Sequence, residues 1–333
     1  MKRSPASIRD VAERAGVSIG TVSNVLNRPT KVSEATARKV LAVIEELGFV
    51  RNDAARQLRA GSSRAIGLIV LDVRNPFFSA LAIGAEDGAR DAGYSIILGN
   101  SDEKTDREAS YLDLFEEQRM RGVLISPFGD VETRLRQLRA RGTPAVLVDR
   151  TSSSGEFSSV SVDDVAGGRL AGEHLVERGR RRIAFIGGPL DIRQVQDRLL
   201  GLQQVAQLHH DVRVEVMTGS SLSILEGRRL GQQLVARASG DRPDAVFAAN
   251  DLMAIGVLQA FVMLGTVNVP RDIAIVGYDD IDFAQGAVVP LTSVRQPAAL
   301  IGRTAVDMLL DDADPGRQVV FTPELVVRES TGS

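Results

Sequence analysis

The chain has 333 residues, 44% hydrophobic and 25% charged, long enough for more than one domain and with the composition of a water-soluble globular protein. It has no cysteine, which excludes disulfides, thiolate catalysis and zinc–thiolate sites, and its histidines His174, His209 and His210 lack a zinc-ligand spacing. The net charge of −3 hides an asymmetry, because residues 1–64 hold twelve Lys or Arg against six Asp or Glu, a net of +6, and the remainder is −9. A small basic head on an acidic body keeps attraction for phosphates local. The opening MKRSPASIRD has no apolar stretch after its basic residues, and no run reaches membrane-spanning length. A cytoplasmic protein without membrane contact is expected.

In chain order, the first predicted element is a helix that Ser7 can cap and whose apolar face is Ile8, Val11, Ala12 and Ala15. Gly16 suits a left-handed helix end. Ser18 can cap a second helix with Val22, Val25 and Leu26 inside and Ile19, Gly20, Thr21, Ser23 and Asn24 outside. Two helices crossed at such a turn form a helix-turn-helix, whose second helix can enter a DNA major groove; an ordinary helical hairpin has the same pattern. Ser33 opens a third helix, 34–47, ended by Gly48, with Ala37, Val40, Leu41, Ile44 and Leu47 as its apolar face. The stretch NDAARQLRAGSSR, 52–64, is basic and poor in large apolar groups. A helix there would be marginal alone, which makes it a linker that a partner could order.

From Ala65 the pattern alternates between strand and helix. Continuous apolar runs at 65–73, 94–100, 122–128, 144–150, 182–188, 244–250 and 273–280 read as parallel strands buried on both faces. Helical stretches at 77–92, 105–120, 164–178, 196–208, 222–237 and 251–264 lie between them. The count predicts two doubly wound α/β units meeting near Val162–Asp164 and Leu291–Arg295. Polar residues gather just past the strand ends: Asn75, Asn100, Ser101, Ser126, Asp149, Arg150, Asp163, Asn250, Asp251, Asp279 and Asp280. That crevice is where open α/β sheets hold ligands, and these side chains suit paired bonds to neighbouring hydroxyls. Each could equally cap the next helix. Phe77 and Phe78 add flat apolar surface for the C–H face of a sugar ring, so a small polyhydroxylated ligand is expected.

Head, linker and body together resemble a lactose-repressor (LacI) family transcriptional regulator over nearly the whole chain. The motifs that carry the likeness are IRDVAERAGVS with TVSNVLN at 8–27, AARQL at 54–58, RAIGLIV at 64–70, then NPFF, FAAND, IVGYDD and VRQP in order. The body is also similar to periplasmic ribose-binding proteins. The resemblance implies a three-helix head (1–51), a hinge (52–64) and a periplasmic-binding-protein-like body (65–333). The body would divide into an N-subdomain of about 65–162 and 295–321 and a C-subdomain of about 163–294 and 322–333. It implies DNA contacts from Ser7, Ile19, Gly20, Thr21, Ser23, Asn24, Asn27, Arg56 and Leu58. Ile19, Gly20 and Asn24 would face base edges, and Leu58 would be wedged into the minor groove. Many family members carry Arg where this chain has Asn24; Asn favours adenine, Arg guanine.

The effector pocket implied is Asn75, Phe77, Phe78, Ser126, Asp149, Arg150, Arg198, Asn250, Asp279 and Gln296. Ser126 stands where ribose-binding relatives often have Asn. The expected function is a sequence-specific repressor that acts as a homodimer on a near-palindromic operator and is released by a small sugar, with no cofactor, metal or catalysis. A transporter's sugar-binding subunit would explain the body but not the head. An enzyme finds no support, because Gly187-Gly188-Pro189 is not a dinucleotide-binding turn and Asp279 and Asp280 on an extended chain point apart.

Overall fold

The computed structural model describes residues 6–49, 63–311 and 316–332, and these fall into two compact units that divide at Ser63. The first is three helices: α1 (Ile8–Ala15), α2 (Ile19–Asn27) and α3 (Glu34–Leu47). Each start is fixed by a serine. Ser7 Oγ accepts from the Asp10 N–H while the Asp10 carboxylate takes the Ser7 N–H at 2.7 Å, and Ser18 and Ser33 cap α2 and α3 through Thr21 and Thr36. Gly16 (φ 62°) and Gly48 (φ 58°) end α1 and α3 in the left-handed conformation. Val11, Ala12, Ala15, Val22, Val25, Val40 and Val43 form the core. The expected face of α3 is rotated slightly: Val43 is buried, whereas Leu41 is 52% exposed.

The second unit contains two six-stranded sheets. The first runs β11-β5-β4-β3-β1-β2 and the second β12-β10-β9-β8-β6-β7. The expected apolar runs form β1 (Ala65–Val70), β2 (Ser95–Asn100), β3 (Val123–Ile125), β4 (Ala145–Val148), β6 (Arg182–Gly187), β8 (Ala245–Ala248) and β9 (Ala274–Asp279). Sequence reading did not place β5 (Ser158–Val162), β7 (Arg213–Thr218), β10 (Thr292–Arg295), β11 (Gln318–Phe321) or β12 (Glu324–Val326). These are edge strands or strands next to the passages between the sheets. The pairings are parallel except β10 with β12. The chain passes between the sheets after Val162, after Arg295 and after Phe321.

Helices α4 (Pro76–Asp91) and α12 (Ala298–Leu310) cover one face of the first sheet, with α5 (Thr105–Glu117) and α6 (Glu132–Ala140) on the other. Helices α7 (Asp164–Glu177) and α8 (Arg193–Leu208) cover one face of the second sheet, and α9 (Ile224–Val235) and α10 (Asp251–Leu264) the other. A short α11 spans Asp282–Gln285. Each of the three closest helix pairs meets through one glycine from either side: Gly84 with Gly302, Gly168 with Gly201, and Gly227 with Gly256. At every one of these positions a Cβ would collide with backbone of the opposite helix.

The tail closes the second sheet. Ser330 Oγ donates to the Ile275 carbonyl, and Thr331 Oγ1 lies 2.8 Å from both His174 Nε2 and Thr292 Oγ1. No helix among the described residues is long and apolar enough to cross a membrane, and no group of metal-ligand side chains is assembled among them.

One buried carboxylate has a clear acid signature. Burial works against the Glu132 charge, but bonds from Ser154, Ser152 and the Ser153 and Ser154 N–H groups overcome it and pull its pKa down to about 2. Its folded pKa lies below its ordinary value of 4.5, so its stabilisation is complete above pH 4.5 and is lost as pH falls towards 2. In Glu132→Gln, acid unfolding followed by circular dichroism should show a shallower loss of stability between pH 4.5 and 2 than in the parent. An unchanged slope would remove Glu132 from the account.

Candidate functional site

In the head, α2 presents Ile19 and Gly20 to solvent at its start, with Asn24 half-buried one turn later. Thr21 Oγ1 lies 2.9 Å from Ser18 Oγ, and Asn27 Nδ2 donates to the Ser23 carbonyl at 2.8 Å. The first turn of a helix carries free N–H groups and partial positive charge, which suit contact with phosphate. The predicted contacts Arg56 and Leu58 lie outside the described residues, as do the linker residues up to Ser62.

In the body, the carboxyl ends of both sheets face one open cleft. Asp279, the last residue of β9, stands at its centre. Its Oδ2 accepts from Asn75 Nδ2 at 2.9 Å and its Oδ1 from Gln296 Nε2 at 2.8 Å, with Arg198 Nη1 3.8 Å away. These partners come from three places. Asn75 caps α4 on the first sheet, Arg198 is on α8 over the second, and Gln296 follows β10 where the chain crosses. Arg198 donates from Nε to Asp164 Oδ1 at 2.8 Å and from Nη1 to the Ala249 carbonyl at 2.6 Å, and lies 3.7 Å over the Tyr278 ring.

Asp149 follows β4, and its Oδ2 accepts from Gln194 Nε2 at 2.8 Å while Oδ1 has no partner. Asn250 caps α10 through the Met253 N–H. Phe77 and Phe78 meet edge to face with centroids 5.1 Å apart. Asp149 (φ 59°), Asp279 (φ 103°) and Asp280 (φ 54°) all have positive φ, the kind of backbone strain that gathers at functional sites.

Burial pushes the carboxyls of Asp149 and Asp279 up, Asp149 strongly, with the charge of Asp164 adding to it there. Burial also opposes the Arg198 charge, but Asp164, Tyr278, Asp279 and Asp149 together hold its pKa above the ordinary value. The site therefore has one cation amid several acids, and hydroxyl groups of a ligand can bridge them.

Asn75, Phe77, Phe78, Asp149, Arg198, Asn250 and Asp279 all line this cleft, and Gln296 reaches it through Asp279. Two predicted residues stand apart. Arg150 donates to the Gly129 carbonyl and lines a neighbouring cavity, and Ser126 is fully buried with an unpartnered Oγ, outside the lining. Sequence reasoning missed Asp72, Glu103, Ile192, Gln194 and Leu222 in the wall. Gln194 was hidden because the helix expected from residue 196 begins at Arg193.

Comparison with known proteins agrees with this architecture. Residues 7–52 match the sequence family described as bacterial regulatory proteins, lacI family, and residues 172–331 match a periplasmic binding protein-like domain. The chain is 33% identical over 332 residues to the HTH-type transcriptional repressor PurR of Photobacterium profundum, covering 98% of each chain. It is 37% identical over 306 residues to the ribose operon repressor of Bacillus subtilis, covering 92% of this chain and 91% of that one. The chain belongs to the lacI family of bacterial regulatory proteins. This lacI-family regulator also superposes on the lac repressor dimer bound to operator and the anti-inducer ONPF, with a TM-score of 0.85 and 30% identity over 99% of this chain and 100% of that one. As a lacI-family protein it is a DNA-binding transcriptional regulator built from a helix-turn-helix head and a two-sheet body.

Proposed function

We propose that this regulator is a homodimeric repressor of the bacterial cytoplasm that binds a near-palindromic operator and is released when a small sugar occupies the cleft. In this reading residues 1–51 are the DNA-reading head, 52–64 the hinge, and 65–333 the effector-binding and dimerising body. The body is divided into an N-subdomain of about 65–162 and 295–321 and a C-subdomain of about 163–294 and 322–333. The observation that carries it is the carboxylate of Asp279, held at once by Asn75, Gln296 and Arg198 where both sheets end. A ligand that exchanges hydroxyls for these bonds acts on both halves of the body together, and its differential affinity for the two arrangements sets the response.

Ile19, Gly20 and Asn24 would read base edges, Thr21 and Ser23 would lie near phosphates, and Ser7 and Asn27 would also contact DNA. Twofold symmetry in the protein calls for twofold symmetry in its operator. Exposed apolar residues in both halves, among them Ile97 and Leu98 on the edge strand β2 and Phe283 and Val288 beyond β9, support a dimer contact. The ribose operon repressor and PurR among the relatives support repression rather than chemical turnover or transport.

The test is selection of duplexes from a random pool by the full-length protein, followed by titration of free sugars into the selected complex. A palindromic consensus whose complex dissociates with one sugar is the expected result. No sequence preference with or without carbohydrate would overturn the proposal.

A further inference from the structure

Resting on the sugar-effector reading, we propose that the cleft admits an uncharged polyol and rejects the phosphate ester of the same sugar, so that the signal is the free sugar. Charge is the first ground. Asp72, which is paired with Arg74, and Glu103, Asp149 and Asp279 line the cleft, and Arg198 is the one cation among the described residues of that lining. Arg198 is already committed: Asp164, the Ala249 carbonyl and the Tyr278 ring hold it, with Asp279 at 3.8 Å. A phosphate monoester adds nearly two negative charges at neutral pH and would find no unmatched cation in this wall to meet it.

The hydrogen-bond inventory is the second ground, and it is independent of net charge. Asp149 Oδ1 and Gln296 Oε1 are buried without partners. The amide of Gln296 is oriented by its Nε2, which must face the Asp279 carboxylate, so its oxygen is the atom left over. Gln296 Oε1 is an acceptor, and Asp149 Oδ1 is one when that carboxyl is ionised. A hydroxyl satisfies them by donating its proton, whereas a phosphate dianion brings acceptors only.

Two backbone N–H groups that could otherwise serve a phosphate are also taken. The Phe77 and Met253 N–H groups donate to the Asn75 and Asn250 side chains, and Pro76 has no N–H. Two helix starts by the wall lack a side-chain cap: that at Arg193 is adjacent to Gln194, which is bonded to the Asp149 carboxylate, and that at Thr105 follows the acid Glu103. A phosphate at either would face an acid.

The full-length protein should be titrated calorimetrically with D-ribose, L-arabinose, D-xylose, D-glucose and D-galactose and with the terminal phosphate ester of each, with inorganic phosphate as control. At least one free sugar should bind, and its ester should bind at least 100-fold more weakly. An ester that binds as tightly as its sugar overturns this inference and leaves the sugar-effector reading standing. If no member of either set binds, both fall. Asp72→Asn removes one acid from the wall and leaves Arg74, which Asp72 now holds at 2.8 Å, paired with Asp102 alone, so the gap between sugar and ester should narrow severalfold. An unchanged gap would overturn the electrostatic ground, and the inference would then stand on the hydrogen-bond inventory alone.

Discussion

Asp279→Ala is expected to weaken effector binding at least 100-fold, because bonds to an ionised group are each worth about 1.5–3 kcal/mol and this carboxylate sits among three polar side chains. Operator affinity without effector should change little. Stability gives a second reading. The folded pKa of Asp279 is raised by burial, so the folded state holds its proton more tightly than the unfolded chain does. That contribution is present at low pH and is lost as pH rises above 3.8 through the folded value. In Asp279→Asn the fall in stability over that interval should be smaller than in the parent. Titration of the effector response against operator-bound protein, together with urea unfolding at several pH values, checks both; an unaltered dose–response removes Asp279 from the site.

Gly168→Ala should strongly destabilise the body. Gly168 on α7 faces the backbone of Arg198 on α8, and a methyl group there would collide with the Arg198 carbonyl. Relief requires the two helices to separate, at a cost of about 3 kcal/mol or more. That separation would also carry the Arg198 guanidinium away from Asp164 and Asp279. We therefore expect a drop in melting temperature together with loss of the effector response. The chemically equal change Gly179→Ala, where nothing lies within 4 Å of the new Cβ but φ is +79°, should cost only the backbone strain of a positive φ and leave the response intact. Equal loss of response in both variants would deny the close contact its role in placing Arg198.

The head was legible almost to the residue because five of its six helix boundaries have a chemical marker. Ser7, Ser18 and Ser33 are caps, and Gly16 and Gly48 take a backbone angle that side chains disfavour. The central strands were legible for a different reason: a strand covered on both faces must be apolar throughout. The strands that escaped lack that signal. In β5, Ser159 and Ser161 are buried despite their polarity, and β12 is only Glu324–Val326. Helix α12, AALIGRTAVDMLL, did carry an apolar stripe, and its omission left the first sheet short of one covering helix.

The acids at the strand ends were visible in the sequence as a group. What could not be read was which of them share a cavity. Arg150 differs from Asp149 by one position, yet they take different partners, Gly129 and Gln194. Asp149 has a positive φ at the end of β4, and both residues line the neighbouring cavity while Asp149 alone also lines the cleft. No local pattern encodes that difference.

The order in which these parts leave the ribosome follows from the topology. The three-helix unit needs nothing beyond Phe49 for its core, whereas β11 closes an edge of one sheet and β12 and the Ser330–Thr331 anchor complete the other only at the very end of the chain. Domains fold as they emerge, the amino-terminal one first. A nascent or prematurely terminated polypeptide would thus carry a finished DNA-binding head before it owns a finished body, and translational errors in this protein would yield heads without the completed regulatory half.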